Sequence, residues 1–147
     1  MIMAKVKQII FIVFLLLSFN INAQSKKDFN WTNVIEAIAQ VESKGDSTAV
    51  SKCQHVGYLQ ISPIMVKDCN RILKYNKYTL KDRYSKQKSI EIFYLIQSYY
   101  NKTNNIEKAI RLWNGGTGYT IKGTNGYYQK VMKEYSKILS EVKNGKT

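Results

Sequence analysis

Residues 31–43 read Trp31-Thr32-Asn33-Val34-Ile35-Glu36-Ala37-Ile38-Ala39-Gln40-Val41-Glu42-Ser43, with Gly45 two positions later. Val34, Ile35, Ile38 and Val41 recur at helical spacing, and Asn30 stands where a capping side chain is wanted. Gly45 supplies the stop. The stretch therefore predicts an amphipathic helix from about Trp31 to Ser43 with one stripe turned to a core. One position of that stripe is not apolar. Ile35, Ile38 and Glu42 stand at i, i+3 and i+7, a single helix face, so Glu42 prolongs the stripe at its C-terminal end. Glu36 lies about 100° round from Ile35 and is expected to point to water.

Two effects at the position of Glu42 favour its protonated form: loss of water and the negative end of the helix dipole. A carboxylic acid still protonated near neutral pH can give its proton to a leaving oxygen. The plainer alternative is a glutamate at the rim of the stripe, solvated or capping a neighbouring helix.

Working outward, the remaining chain reads as further helices joined by polar, glycine-bearing loops. Ser62-Pro63 is a cap followed by a first-turn proline, predicting a helix to about Leu73 with Met65, Cys69 and Ile72 on one face. Residues 75–84 are a tyrosine-bearing connection. A third helix is expected from about Ser85 to Tyr100, with Ile90, Phe93, Ile96, Gln97 and Tyr100 inward. Asn104 and Glu107 have capping-box spacing and open a fourth helix that stops at Asn114-Gly115-Gly116. Five glycines between 115 and 126 predict a loop, and a last helix is expected from Tyr127 to about Val142, with Val131, Tyr135, Ile138 and Val142 as its stripe. No alternation is long enough to predict a sheet, and no internal repeat is visible. The fold class is mainly α, a single domain.

The N-terminus reads differently. Lys5 and Lys7 precede an apolar run from Ile9 to Leu17, followed by polar and small residues ending at Ala23. This is the pattern of a secretory signal peptide over residues 1–23, leaving a domain over 24–147. Asn20 and Asn22 interrupt the stretch before the roughly 20 apolar residues that a membrane span needs, although an uncleaved anchor is the competing reading. Cleavage after Ala23 leaves 124 residues. Their net charge is +11, since Lys5 and Lys7 leave with the leader, against +13 for the whole chain. The expected location is periplasmic or extracellular.

Export gives the two cysteines a meaning. Cys53 and Cys69 enclose 15 residues, and outside a reducing cytosol such a pair is a disulfide candidate worth roughly 3 kcal/mol on the chain-entropy model. Two separate buried thiols are the alternative.

Composition excludes several classes. With one His and two Cys, no four-ligand His/Cys zinc site can be built, and no metal or other cofactor is expected. His55, the single imidazole, either lines a cleft or packs at the surface. The 115–126 segment lacks the phosphate-binding glycine signatures, so nucleotide binding is not expected. The excess lysines are dispersed, as on a solvated surface, and would also draw the protein to an anionic wall.

Four blocks in order carry a resemblance: Glu42-Ser43, then Ala49-Val50-Ser51, then Gly57-Tyr58-Leu59-Gln60-Ile61-Ser62-Pro63, then Ala109-Ile110-Arg111-Leu112-Trp113-Asn114-Gly115-Gly116. Together with Tyr127 and Val131 they make the chain similar to the soluble lytic transglycosylases and their goose-type lysozyme relatives. The resemblance implies a lysozyme-like helical fold and cleavage of the β-1,4 bond between N-acetylmuramic acid and N-acetylglucosamine in peptidoglycan. It implies that Glu42 is the catalytic acid and then base, forming a 1,6-anhydro sugar. It further implies that Gln60 and Asn114 bind the sugars, that Ser43 orients groups around Glu42, and that Tyr127 lies near it. The chain departs from the pattern at Tyr58 and Leu59, where Leu and Met are usual, at Trp113 in place of Tyr, and at Gly115 in place of Ala. Tyr58 and Trp113 still offer flat faces for stacking on sugars.

A two-carboxylate glycosidase needs a partner acid about 5–10 Å across the scissile bond. Asp46, Asp68 and Asp82 are the acids weighed for that place, and none is marked by its neighbours in sequence. The single-carboxylate transglycosylase is therefore preferred. A lysozyme-type hydrolase is the alternative, followed by an inactive glycan-binding wall protein and by a basic exported protein acting on membranes or nucleic acid. The expected partners are peptidoglycan strands, with a secretion or conjugation apparatus as a candidate and nucleic acid not expected. A monomer is the default.

Overall fold

The computed structural model of the chain describes residues 29–145, so the expected leader over residues 1–23 lies outside the described residues. Five α-helices follow in order: α1 Thr32–Glu42, α2 Pro63–Leu73, α3 Lys86–Tyr100, α4 Ile106–Gly115 and α5 Ile121–Lys143. Short 3-10 turns span Leu80–Tyr84 and Gly116–Gly118. Among the described residues the only β structure is two isolated bridges, Val50 with Val56 and Val56 with Ile61. The mainly α reading holds.

The first two helices form where their signals stand. Val34, Ile35, Ala37, Ile38 and Ala39 are the buried face of α1. Asn30 Oδ1 accepts from the Thr32 amide at 3.0 Å, and Gly45 closes the other end, with its N–H on the Ala39 carbonyl at 3.3 Å. Ser62 Oγ accepts from the Met65 amide at 3.1 Å, which satisfies one orphan donor of α2, while Pro63 opens its first turn.

Two boundaries differ from the sequence reading. The cap of α4 is Asn105, whose side chain accepts from Lys108 N at 2.8 Å. Asn104 takes a positive φ of 53° in the turn before it. The last helix begins six residues earlier than its apolar stripe suggests. Thr120 caps it by accepting from Gly123 N at 3.0 Å. The buried Arg111 of α4 then fastens that first turn, donating to the Ile121 carbonyl and to Thr124 Oγ1, each at 3.0 Å. Gly123 and Gly126 are thus helical because a cap and a guanidinium outweigh the roughly 1 kcal/mol each that glycine costs inside a helix. Gly115 is required by proximity: a Cβ there would meet Tyr119 Cβ at 2.7 Å and Thr124 Cγ2 at 2.9 Å.

The core joins α1, α3 and α4 through an aromatic row. Phe29, Trp31, Phe93 and Trp113 follow one another with ring centroids 4.4, 5.7 and 5.1 Å apart. Helix α5 packs most extensively on α1 and α4, burying Val131 fully. The loop between α1 and α2 is tied down by Arg83, buried in the first 3-10 turn, which donates to the carbonyls of Gln54, Ile61 and Leu80. Among the described residues no helix is long and apolar enough to cross a membrane.

The expected Cys53–Cys69 disulfide is not present in the structure. Both thiols are free, with Cys53 exposed on the α1–α2 loop and Cys69 buried among apolar side chains of the core. Burial pushes the Cys69 thiol up to about 12, so it behaves as a small apolar residue.

Candidate active site

Helix α1 ends at Glu42, and that end faces a cavity of about 430 Å³. Glu42, Gln60, Trp113 and Asn114 line it, together with His55, Ser62 and Thr117 on the polar side and Ile64, Met65, Ile96 and Leu112 on the apolar side. A larger, more open hollow of about 720 Å³ lies elsewhere, between Leu73, Tyr78, Ile90 and Leu95; it contains neither Glu42 nor any residue of the resemblance blocks.

Glu42 is half-buried, and the loss of water raises its carboxyl above the ordinary range. The opposing influence is a hydrogen bond from the Tyr127 hydroxyl to Glu42 Oε1 at 2.7 Å, which favours the ionised form. Tyr127 is itself held far above its ordinary range, first by burial and then by the adjacent carboxylate, so it stays a donor. The bond engages one carboxyl oxygen. The other, Oε2, is the one available to a bound molecule.

The remaining expected residues divide. Gln60 sits at a positive φ of 49°, and its amide nitrogen donates to the carbonyls of Ala49 at 3.1 Å and Gly57 at 3.0 Å. What Gln60 retains for a ligand is an acceptor oxygen. Trp113 is 5 % exposed and donates through Nε1 to the Leu59 carbonyl at 3.2 Å, so only an edge of the indole reaches the cavity. Asn114 is exposed at its rim. Ser43 Oγ donates to the Tyr58 carbonyl at 2.8 Å. It fastens the loop to the end of α1 and makes no hydrogen bond to Glu42 among the described residues.

Tyr58 and Leu59 do not line the cavity. Both are core residues, at 1 % and 0 % exposure. Tyr58 cannot stack on a sugar, because its ring lies under Lys86 and its hydroxyl donates to Glu36. That contact also corrects the expectation for Glu36, which is half-buried and accepts from Tyr58 and Gln40 instead of facing only water. His55 lines the cavity, the first of its two sequence readings.

Two residues of the cavity were not expected in it: Asp68 was weighed only as a second acid, and Tyr100 only as an inward residue of the third helix. Asp68 of α2 and Tyr100 of α3 form part of its wall, joined by a hydrogen bond from the Tyr100 hydroxyl to Asp68 Oδ2 at 2.9 Å. The signal was present: Met65, Asp68 and Ile72 have the same i, i+3, i+7 spacing that marked Glu42.

A family model described as Transglycosylase SLT domain matches residues 19–136, most of the chain. No curated protein and no solved structure matches. The chain belongs to the Transglycosylase SLT domain family, which acts on the peptidoglycan of cell walls.

Proposed function

We propose, from that membership, that the protein is an exported peptidoglycan lytic transglycosylase with Glu42 as its single acid/base group. One observation carries the reading: a desolvated carboxyl, anchored through one oxygen by Tyr127, at the wall of a cavity shared with Gln60, Trp113 and Asn114.

In the first step Glu42 Oε2 gives its proton to the glycosidic oxygen between N-acetylmuramic acid and N-acetylglucosamine while the bond from that oxygen to C1 breaks. The carboxylate so formed is the state that the Tyr127 hydrogen bond favours, so Tyr127 supports the intermediate more than the resting acid. In the second step the carboxylate takes the proton of the muramyl C6 hydroxyl, whose oxygen closes on C1. The product is a 1,6-anhydro ring, water is not consumed, and Glu42 regains its proton.

A hydrolase is the second reading, because Asp68 lines the same cavity. Asp68 Oδ1 already accepts from Arg71 at 2.6 and 2.8 Å and Oδ2 from Tyr100, so both oxygens are engaged within the wall.

Mass spectrometry of the soluble products from purified peptidoglycan tests the proposal. Anhydro-muropeptides are expected from the unaltered protein and none from Glu42→Gln, a loss of about 10²- to 10⁴-fold. Reducing-end products would establish the hydrolase. Sedimentation with the wall but no release by either protein would establish a binding protein.

A further inference from the structure

Tyr58 is tied to helix α1 at two heights. Its carbonyl accepts from Ser43 Oγ at 2.8 Å, at the end of the helix. Its hydroxyl donates to Glu36 Oε2, about 10 Å of helix axis before Ser43. Glu36 and Ser43 stand seven positions apart, on one face, with Glu42 between them in sequence. The other oxygen of Glu36 accepts from Gln40 Nε2 at 3.2 Å, so both are engaged. Lys86 of α3 covers the Tyr58 ring, its Nζ 4.4 Å from the centroid. Burial, and then Glu36, hold the phenol well above its ordinary range, so it stays a donor.

The residues on either side of Tyr58 hold the cavity wall. The Gly57 carbonyl accepts from Gln60 Nε2 at 3.0 Å, and the Leu59 carbonyl from Trp113 Nε1 at 3.2 Å. Gln60 and Trp113 line the cavity with Glu42, whereas Tyr58 and Glu36 do not. Gln60 does so at a left-handed φ of 49°, a strained backbone that persists only where its surroundings over-determine it. Leucine, usual at the place of Tyr58 in the transglycosylase pattern, has no polar atom for the second tie. We propose that Tyr58 and Glu36 are positioning residues, whose bond fixes the 57–60 loop against α1 and so sets Glu42 relative to Gln60 and Trp113. This inference rests on the glycan-cleaving reading of Glu42.

The full chain and its variants are assayed on soluble peptidoglycan fragments, at a temperature where circular dichroism shows each one folded. Tyr58→Phe keeps the buried ring and removes only the hydroxyl. A misplacement of about 1 Å can cost about 10²-fold in rate, so loosening one of the two ties is expected to lower kcat about tenfold at nearly constant KM. Glu36→Leu is expected to do the same, and the double variant to be no worse than either alone, because both remove one bond. Glu36→Gln, whose amide oxygen still accepts from the phenol, is the rescue and is expected to keep kcat within about threefold. If Tyr58→Phe failed to fold, the contrast between Glu36→Gln and Glu36→Leu decides. Unaltered kcat in the folded variants would overturn the proposal. So would additive losses in the double variant, or equal losses in Glu36→Gln and Glu36→Leu. If Glu42→Gln released anhydro-muropeptides at the unaltered rate, the underlying reading would fall instead.

Discussion

Gly57→Ala is the substitution whose cost the structure defines most sharply. Gly57 has φ +81°, and a Cβ built there would lie 1.9 Å from the Arg83 carbonyl oxygen and 3.2 Å from that of Ser47. The left-handed backbone alone costs alanine about 1–2 kcal/mol. The contact is worse. A carbon approaches a carbonyl oxygen no closer than about 3.3 Å, so the two backbones must part by about 1.4 Å. They cannot do so freely, because the Arg83 side chain holds the carbonyls of Gln54 and Ile61 on the same loop. The sum belongs to the rare class of about 4 kcal/mol or more. At about 4 °C per kcal/mol for a domain of this size, the melting temperature falls by about 15 °C or more. Gly45→Ala is the control: its φ is +83°, but the nearest heavy atom is Gln40 Nε2 at 3.8 Å, so it carries the backbone strain alone. Circular dichroism melts of the two variants isolate the contact. Equal melting temperatures would refute the reasoning.

Tyr127→Phe removes the hydrogen bond that lowers Glu42 against its desolvation, so Glu42 titrates higher still. Activity that needs the protonated acid is lost as pH rises through that titration, so the alkaline limb of kcat/KM moves to higher pH while the rate at the optimum drops; a limb that stays put or moves down would contradict the assignment. The cysteines make a simpler pair. Cys53→Ser is expected to change stability by less than about 0.5 kcal/mol, Cys69→Ser to cost about 1–3 kcal/mol by burying a hydroxyl, and reductant to leave the melting temperature unchanged.

The helices were legible where a local signal coincided with the apolar period. Ser62-Pro63 marked the start of α2 to the residue, and the Ile35-Ile38-Glu42 spacing put the acid on the inner face of α1. The failures lie where a distant contact decides. At Thr120–Gly126 the local cap, Thr120, is masked by Gly123 and Gly126, and the rest of the hold comes from Arg111 on another helix. Glu36 was read as solvated because its partner, Tyr58, lies 22 residues away. Of the Gly-Tyr-Leu-Gln segment only Gln60 lines the cavity, because Tyr58 and Leu59 turn inward to hold the loop. Asp68 was dismissed for want of a visible neighbour, and its neighbour Tyr100 lies 32 positions on.

The pairing of Glu42 with Tyr127 joins groups 85 residues apart. An unfolded chain holds this acid in water, as an exposed carboxylate. Only when the final helix docks does that acid acquire its dry setting and its phenolic partner. The dry, phenol-bonded carboxyl is thus a property of the completed fold alone, and a copy that ends before α5 lacks it.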